Sequence, residues 1–128
     1  MTDGDLYARG LEARRAFLGD EYVDANLSES DEFMMQFQRA VTELAWGYSW
    51  SRPGLDLRTR AVLTLGILAA LGRKDELATY AQGAVRNGVT VEEIQEILVH
   101  VTAYCGTPTG RHAFVAVHGA LKQTGAID

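Results

Sequence analysis

The segment Ala45-Trp46-Gly47-Tyr48-Ser49-Trp50-Ser51-Arg52-Pro53-Gly54-Leu55 holds both tryptophans of the chain, a tyrosine and a fixed cation, ahead of a Pro-Gly turn. Large aromatic walls beside a guanidinium suit an apolar pocket with one anion-binding corner, the mixture expected of a site for a small organic acid. The same residues also suit an aromatic corner packed in the core, because tryptophan is highly buried on average. A second concentration of chemistry follows. His100 and Tyr104 stand four apart, off the apolar stripe Ile94, Ile97, Leu98, Val101 and Cys105, so their polar tips share a face that looks toward a pocket or a neighbouring subunit. The plainer reading of His100 is an imidazole hydrogen-bonded at a helix flank. Arg111 and His112 fall in the first turn of the last helix, where backbone amides favour an anion, and a cation there calls for a bound anion or an acidic neighbour. His118, between Phe114 and Leu121, reads as a packed histidine, and Cys105 as a small hydrophobe.

Composition narrows what these groups can do. A single cysteine excludes an internal disulfide and dithiol chemistry, and three scattered histidines lack zinc-ligand spacing, so no metal is expected. The formal charge of −5 comes without a Lys/Arg block, so nucleic acid is not an expected partner. No apolar run reaches the length of a membrane span, and Met1 to Gly10 carries acids rather than a leader pattern, which points to a soluble cytoplasmic protein without membrane contact. With 47% hydrophobic against 23% charged residues the chain can bury a core, and its length suits one domain over 1–128 without an internal linker.

Helical spacing of apolar residues runs almost throughout, so the elements that must position these groups form an all-α bundle of about six helices. The first is expected over Asp5–Leu18, with Tyr7, Leu11 and Leu18 on one face and Gly19 as its stop, followed by an extended connection over Tyr22–Leu27. Ser28 is a candidate cap for the second, with Asp31 three residues on, and Phe33, Phe37, Val41, Leu44 and Tyr48 as its stripe. Asp56 is a candidate cap for the third, whose run Ala61–Leu71 is apolar nearly all round and is expected to be buried on most sides. Gly72 ends it. The fourth spans about Asp75–Asn87 with Leu77, Tyr80, Ala81, Ala84 and Val85 inward. Thr90-Val91-Glu92-Glu93 has the capping-box pattern and opens the fifth, to about Cys105; Thr107 as cap with Pro108 opens the sixth.

Gly10 to Gly19, Ala45-Trp46-Gly47, Trp50 to Leu55, Arg58-Thr59-Arg60, Leu71-Gly72-Arg73, Arg86 to Thr90, Ala103 to Pro108 and Ala113-Phe114 together resemble the 4-carboxymuconolactone decarboxylases of the alkylhydroperoxidase-like superfamily. The likeness covers nearly the whole chain in order. It implies an all-helical subunit assembled into trimers or hexamers, needing no metal or organic cofactor, that turns an unsaturated lactone acid into an enol-lactone and CO2 in protocatechuate breakdown. In such a substrate the lost carboxylate sits on a lactone ring carbon, and its departure leaves a dienolate delocalised toward the lactone carbonyl. The site must desolvate that carboxylate, hold the remaining acid, stabilise the oxyanion and protonate carbon. Under this resemblance Trp46 and Trp50 are walls, Arg52 the clamp with Arg111 a further anion-binding candidate, and His100 and Tyr104 the donors.

Two departures bear on activity. The family pattern carries Glu at the position of Tyr48 and His at that of Tyr80; phenols donate hydrogen bonds but are poor bases at neutral pH. Losing a positioned acid or base typically costs about 10² to 10⁴ in rate. Besides the named decarboxylase, a repurposed enzyme acting on another aromatic or polyketide-like substrate therefore stands as an alternative. A thiol peroxidase is weaker, since Cys105 has no resolving thiol, and a non-catalytic binding subunit is the fourth reading.

Overall fold

The structure, a computed structural model, describes residues 3–128; Met1 and Thr2, part of the segment read above for a leader pattern, lie outside the described residues. Every regular element among the described residues is helical, as the spacing predicts. The chain divides into two compact units, 1–56 and 57–128.

The first unit holds α1 (Asp3–Leu18), α2 (Asp20–Glu29), α3 (Glu32–Val41) and a π-helical segment (Thr42–Trp50). Gly19 joins α1 to α2 at φ 91°, a backbone region that costs glycine nothing. The extended connection expected over Tyr22–Leu27 is instead α2. Asp20 and Glu21 lie in its first turn, where the helix dipole favours acids, and Arg15 reaches over the joint to Asp20 (3.2 Å) and Asp24 (2.7 Å). Ser28 consequently lies inside α2, and Asp31 caps α3 by accepting the Met34 amide at 2.9 Å.

The stripe expected to hold the second helix down faces outward. Phe33 is 83% and Phe37 57% exposed, with Leu44 and Tyr48 exposed beyond them. Inside lie Gln38 and Thr42, which accept from the buried Arg14 guanidinium at 2.9 and 3.3 Å, and then Trp46 and Gly47. After Val41 the ladder widens to one residue more per turn, closing with the Ser51 amide on the Trp46 carbonyl at 2.9 Å. The π segment packs against α1 almost backbone to backbone. A Cβ on Gly10 would lie 2.0 Å from the Thr42 carbonyl oxygen, and one on Gly47 would lie 2.4 Å from that of Leu6.

The second unit holds α4 (Leu57–Leu71), α5 (Lys74–Arg86), α6 (Val91–Cys105) and α7 (Thr107–Gln123), so among the described residues the helices number seven plus the π segment rather than six. Gly72 and Gly88 end α4 and α5 at φ 73° and 94°. The capping box forms as expected: Thr90 Oγ1 accepts the Glu93 amide at 3.0 Å and the Glu93 carboxylate accepts the Thr90 amide at 2.9 Å. Thr107 is already the first helical residue of α7; Gly106, at φ 99°, takes the cap position because it alone can make the reversal from α6. Leu65, Leu77, Ala81, Ile94, Leu98 and Val117 build the core. α4 is not enclosed on most sides, since it buries Ala61, Leu65 and Ala69 while Leu63, Ile67 and Leu71 are exposed. No helix among the described residues is long and apolar enough to cross a membrane.

Candidate active site

In the first unit the aromatic segment is split by its own helix. Trp46 is 1% exposed and stacks on Trp50 at 4.6 Å between ring centroids, with Phe17 tilted against both. Trp46 is thus a core residue, and Trp50, half-buried, is the outer layer of the same stack. Tyr48 and Arg52 leave this stack and pair with each other, the guanidinium lying 5.1 Å from the ring centroid, within range of a cation–π attraction. They line a recess of about 310 Å³ with Leu6, Gly47 and Arg9. Arg9 escaped the sequence reading. Its Nη2 donates to Ser51 Oγ at 3.1 Å from 42 residues away, and nothing local in the α1 sequence marks that meeting.

In the second unit α4 and α6 border a groove of about 620 Å³. Val62, Leu63 and Ile67 from α4 and Ile97 and Val101 from α6 give it apolar walls, with His100, Tyr104, Glu96 and Cys105 as its polar groups. The rings of His100 and Tyr104 are 4.8 Å apart and tilted by 40°, so this pair shares a face and looks into the groove as its spacing predicts. Cys105 corrects an expectation: it is exposed at the end of α6, not buried in the stripe, because Gly106 turns the chain away before a neighbour covers it. Tyr80 is half-buried on α5, outside this groove, and Arg111 is exposed near the start of α7. His118 is exposed rather than packed.

Strong electrostatic coupling lies beside the groove. The Arg58 guanidinium, donating to its carboxylate, together with the Thr90 amide lowers the Glu93 pKa to about 2. In the first unit the carboxylates of Asp24 and Asp20 raise the Arg15 pKa. Among the described residues no three His, Cys, Asp or Glu side chains gather as a metal site would require.

One unit carries an imidazole over an apolar groove and the other two arginines and a phenol around a recess, and relatives define the class of protein. The model of the carboxymuconolactone decarboxylase family matches residues 35–118. The chain is 38% identical over 125 residues to 4-carboxymuconolactone decarboxylase of Acinetobacter baylyi, covering 98% of this chain and 93% of that one. It is 41% identical over 117 residues to nitrosuccinic acid decarboxylase of Metarhizium robertsii, covering 91% and 82% respectively. The chain belongs to the carboxymuconolactone decarboxylase family, and it is an enzyme of the carboxy-lyase class.

Proposed function

We propose that the protein, acting as one domain over 1–128, decarboxylates a small dicarboxylic acid whose departing carboxylate sits on a carbon next to an electron sink. The observation that carries this reading is what the two relatives' named substrates share. CO2 loss from 4-carboxymuconolactone leaves a dienolate spread to the lactone carbonyl, and CO2 loss beside the nitro group of nitrosuccinic acid leaves a nitronate. Each keeps a second carboxylate. The carbon–carboxyl bond breaks with its electron pair passing to the sink, and a proton then returns to carbon.

His100 is our proton donor, with Tyr104 beside it and the apolar walls of α4 and α6 disfavouring a charged carboxylate. Arg52 and Tyr48 of the first unit are assigned to acid recognition, and Tyr80 and Arg111 remain candidates. The second relative gives weight to a redirected substrate: Tyr48 and Tyr80 stand where the lactone decarboxylase pattern has Glu and His. We take the working form to be a cytoplasmic homo-oligomer, a trimer or hexamer, in which copies cover exposed apolar side chains such as Phe33 and Leu63.

The test is CO2 release from 4-carboxymuconolactone and from nitrosuccinate, assayed in parallel. Wild type should turn over one of them, and His100→Ala should lower kcat by about 10² or more with little change in KM. Activity on neither by wild type, with activity on the lactone gained by Tyr48→Glu plus Tyr80→His, would show a redirected site. Inertness of all variants, folded and oligomeric, removes the assignment.

A further inference from the structure

The recess between α1 and the π segment has the makings of a binding site in its own right. Its polar lining consists of two guanidinium groups, Arg9 and Arg52, and the Tyr48 phenol; Leu6 and the Gly47 backbone close the rest, and none of the five lining residues is acidic. The recess is shaped by contacts deeper in the fold. Because Gly47 lacks a side chain, the π segment approaches the Leu6 backbone closely, which sets the Tyr48 ring opposite the α1 turn that carries Arg9. Ser51 then fixes the Arg9 fork: its hydroxyl donates to the Gly47 carbonyl and accepts from Arg9 Nη2. The Tyr48 ring lies 5.1 Å from the second fork, that of Arg52, within range of a cation–π attraction. Planar forks of this kind match carboxylates, two N–H groups to two oxygens.

We infer that this recess is a carboxylate-binding site for a small dicarboxylic acid, with Arg9 and Arg52 as its two cations and Ser51 as the residue that positions Arg9. A volume of about 310 Å³ suits an acid of four to six carbons and excludes a bulky polycyclic one. Two cations favour a dianion over a monoanion of the same length. The inference rests on the diacid reading above for its ligand class, and its test separates the two.

Succinate is the probe, titrated calorimetrically into the full-length protein, with butyrate as the singly charged control. Succinate should bind more tightly than butyrate, and Arg9→Gln and Arg52→Gln should each weaken succinate by about tenfold or more, the loss of one charge-assisted pair. Arg9→Lys keeps the charge but loses the fork, so it should fall between wild type and Arg9→Gln, and it stands in for Arg9→Gln if that variant fails to fold. Ser51→Ala should weaken succinate in the same direction by a smaller factor. No succinate binding by wild type, or equal binding by wild type and both arginine variants, overturns the inference. Arginine-dependent succinate binding in a protein inert toward both decarboxylase substrates supports the recess while removing the proposed reaction. Turnover with a KM indifferent to Arg9 and Arg52 does the reverse.

Discussion

In the first unit α3 turns Phe33 and Phe37 to solvent and buries Gln38, which with Thr42 at the start of the π segment packs against Arg14. In the second, α6 buries Ile94, Leu98 and Val101 and turns Glu92 and Glu96 outward. Both helices carry apolar residues at helical spacing, yet one points its apolar face inward and the other does not. The period of a pattern says which side chains share a face; which face is inside depends on what else the chain can bring against it. The first unit brings an arginine with two neutral acceptors, Gln38 and Thr42, that bond its Nη1 in the interior.

The largest effects that separate the units should come from their close helix contacts. Gly10→Ala should cost about 3 kcal/mol, because the new methyl meets the Thr42 carbonyl oxygen, and backbone cannot swing aside. Gly110→Ala should cost about 2–3 kcal/mol by striking Thr102, whose Oγ1 would lie 1.9 Å away. Thr102→Gly should recover most of the second loss, and no single side-chain truncation should recover the first. Denaturant midpoints of the four variants decide it.

Arg14→Leu should cost about 2 kcal/mol by stranding Gln38 and Thr42 in an apolar setting. Replacing all three, with Gln38→Leu and Thr42→Val, makes the first unit's interior resemble the second's and should return stability to within about 1 kcal/mol of wild type. A triple variant as unstable as Arg14→Leu would show that the cluster sets the packing geometry and not merely its own hydrogen bonds.

Thr90→Ala should cost about 1 kcal/mol through the lost cap. Its partner gives the second unit an acid sensitivity. The Glu93 pKa is depressed from 4.5 to about 2, so its contribution is complete above pH 4.5 and drains away as pH falls toward 2. Glu93→Gln should remove that part of the stability slope, read from unfolding midpoints between those pH values.

The smallest effect on folding should come from the outward phenylalanines. Phe33→Ser and Phe37→Ser should change the unfolding free energy of dilute protein by no more than about 0.5 kcal/mol, while weakening self-association in sedimentation. A loss of several times that in dilute protein would place α3's apolar face in the chain's own core.

What was legible in the sequence follows from range. The Thr90–Glu93 box, the Gly72 stop and the shared face of His100 and Tyr104 are decided within one helical turn, and each stands where the residues put it. The helicity of Tyr22–Leu27 was hidden because Arg15 and the left-handed Gly19 set it from outside the segment. Arg9 was hidden for the same reason at longer range, since only the fold carries it to Ser51. Of the aromatic cluster, spacing could not tell that Trp46 would turn inward while Tyr48, two residues on, would turn to Arg52.

That divergence comes from the π segment, and it makes Thr42–Trp50 a place where chain length carries meaning. A π turn holds one residue more than the α turn it replaces, so deleting a residue such as Ala45 invites the ladder to close as an α-helix. One residue of α-helix is a rotation of about 100°, enough to swing every side chain beyond the deletion onto another face. When relatives are aligned, a single-residue gap in this stretch is therefore not a neutral slip of register. It exchanges which side chain confronts the arginines and which fills the core, and so offers a route to a new substrate in which no residue type needs to change.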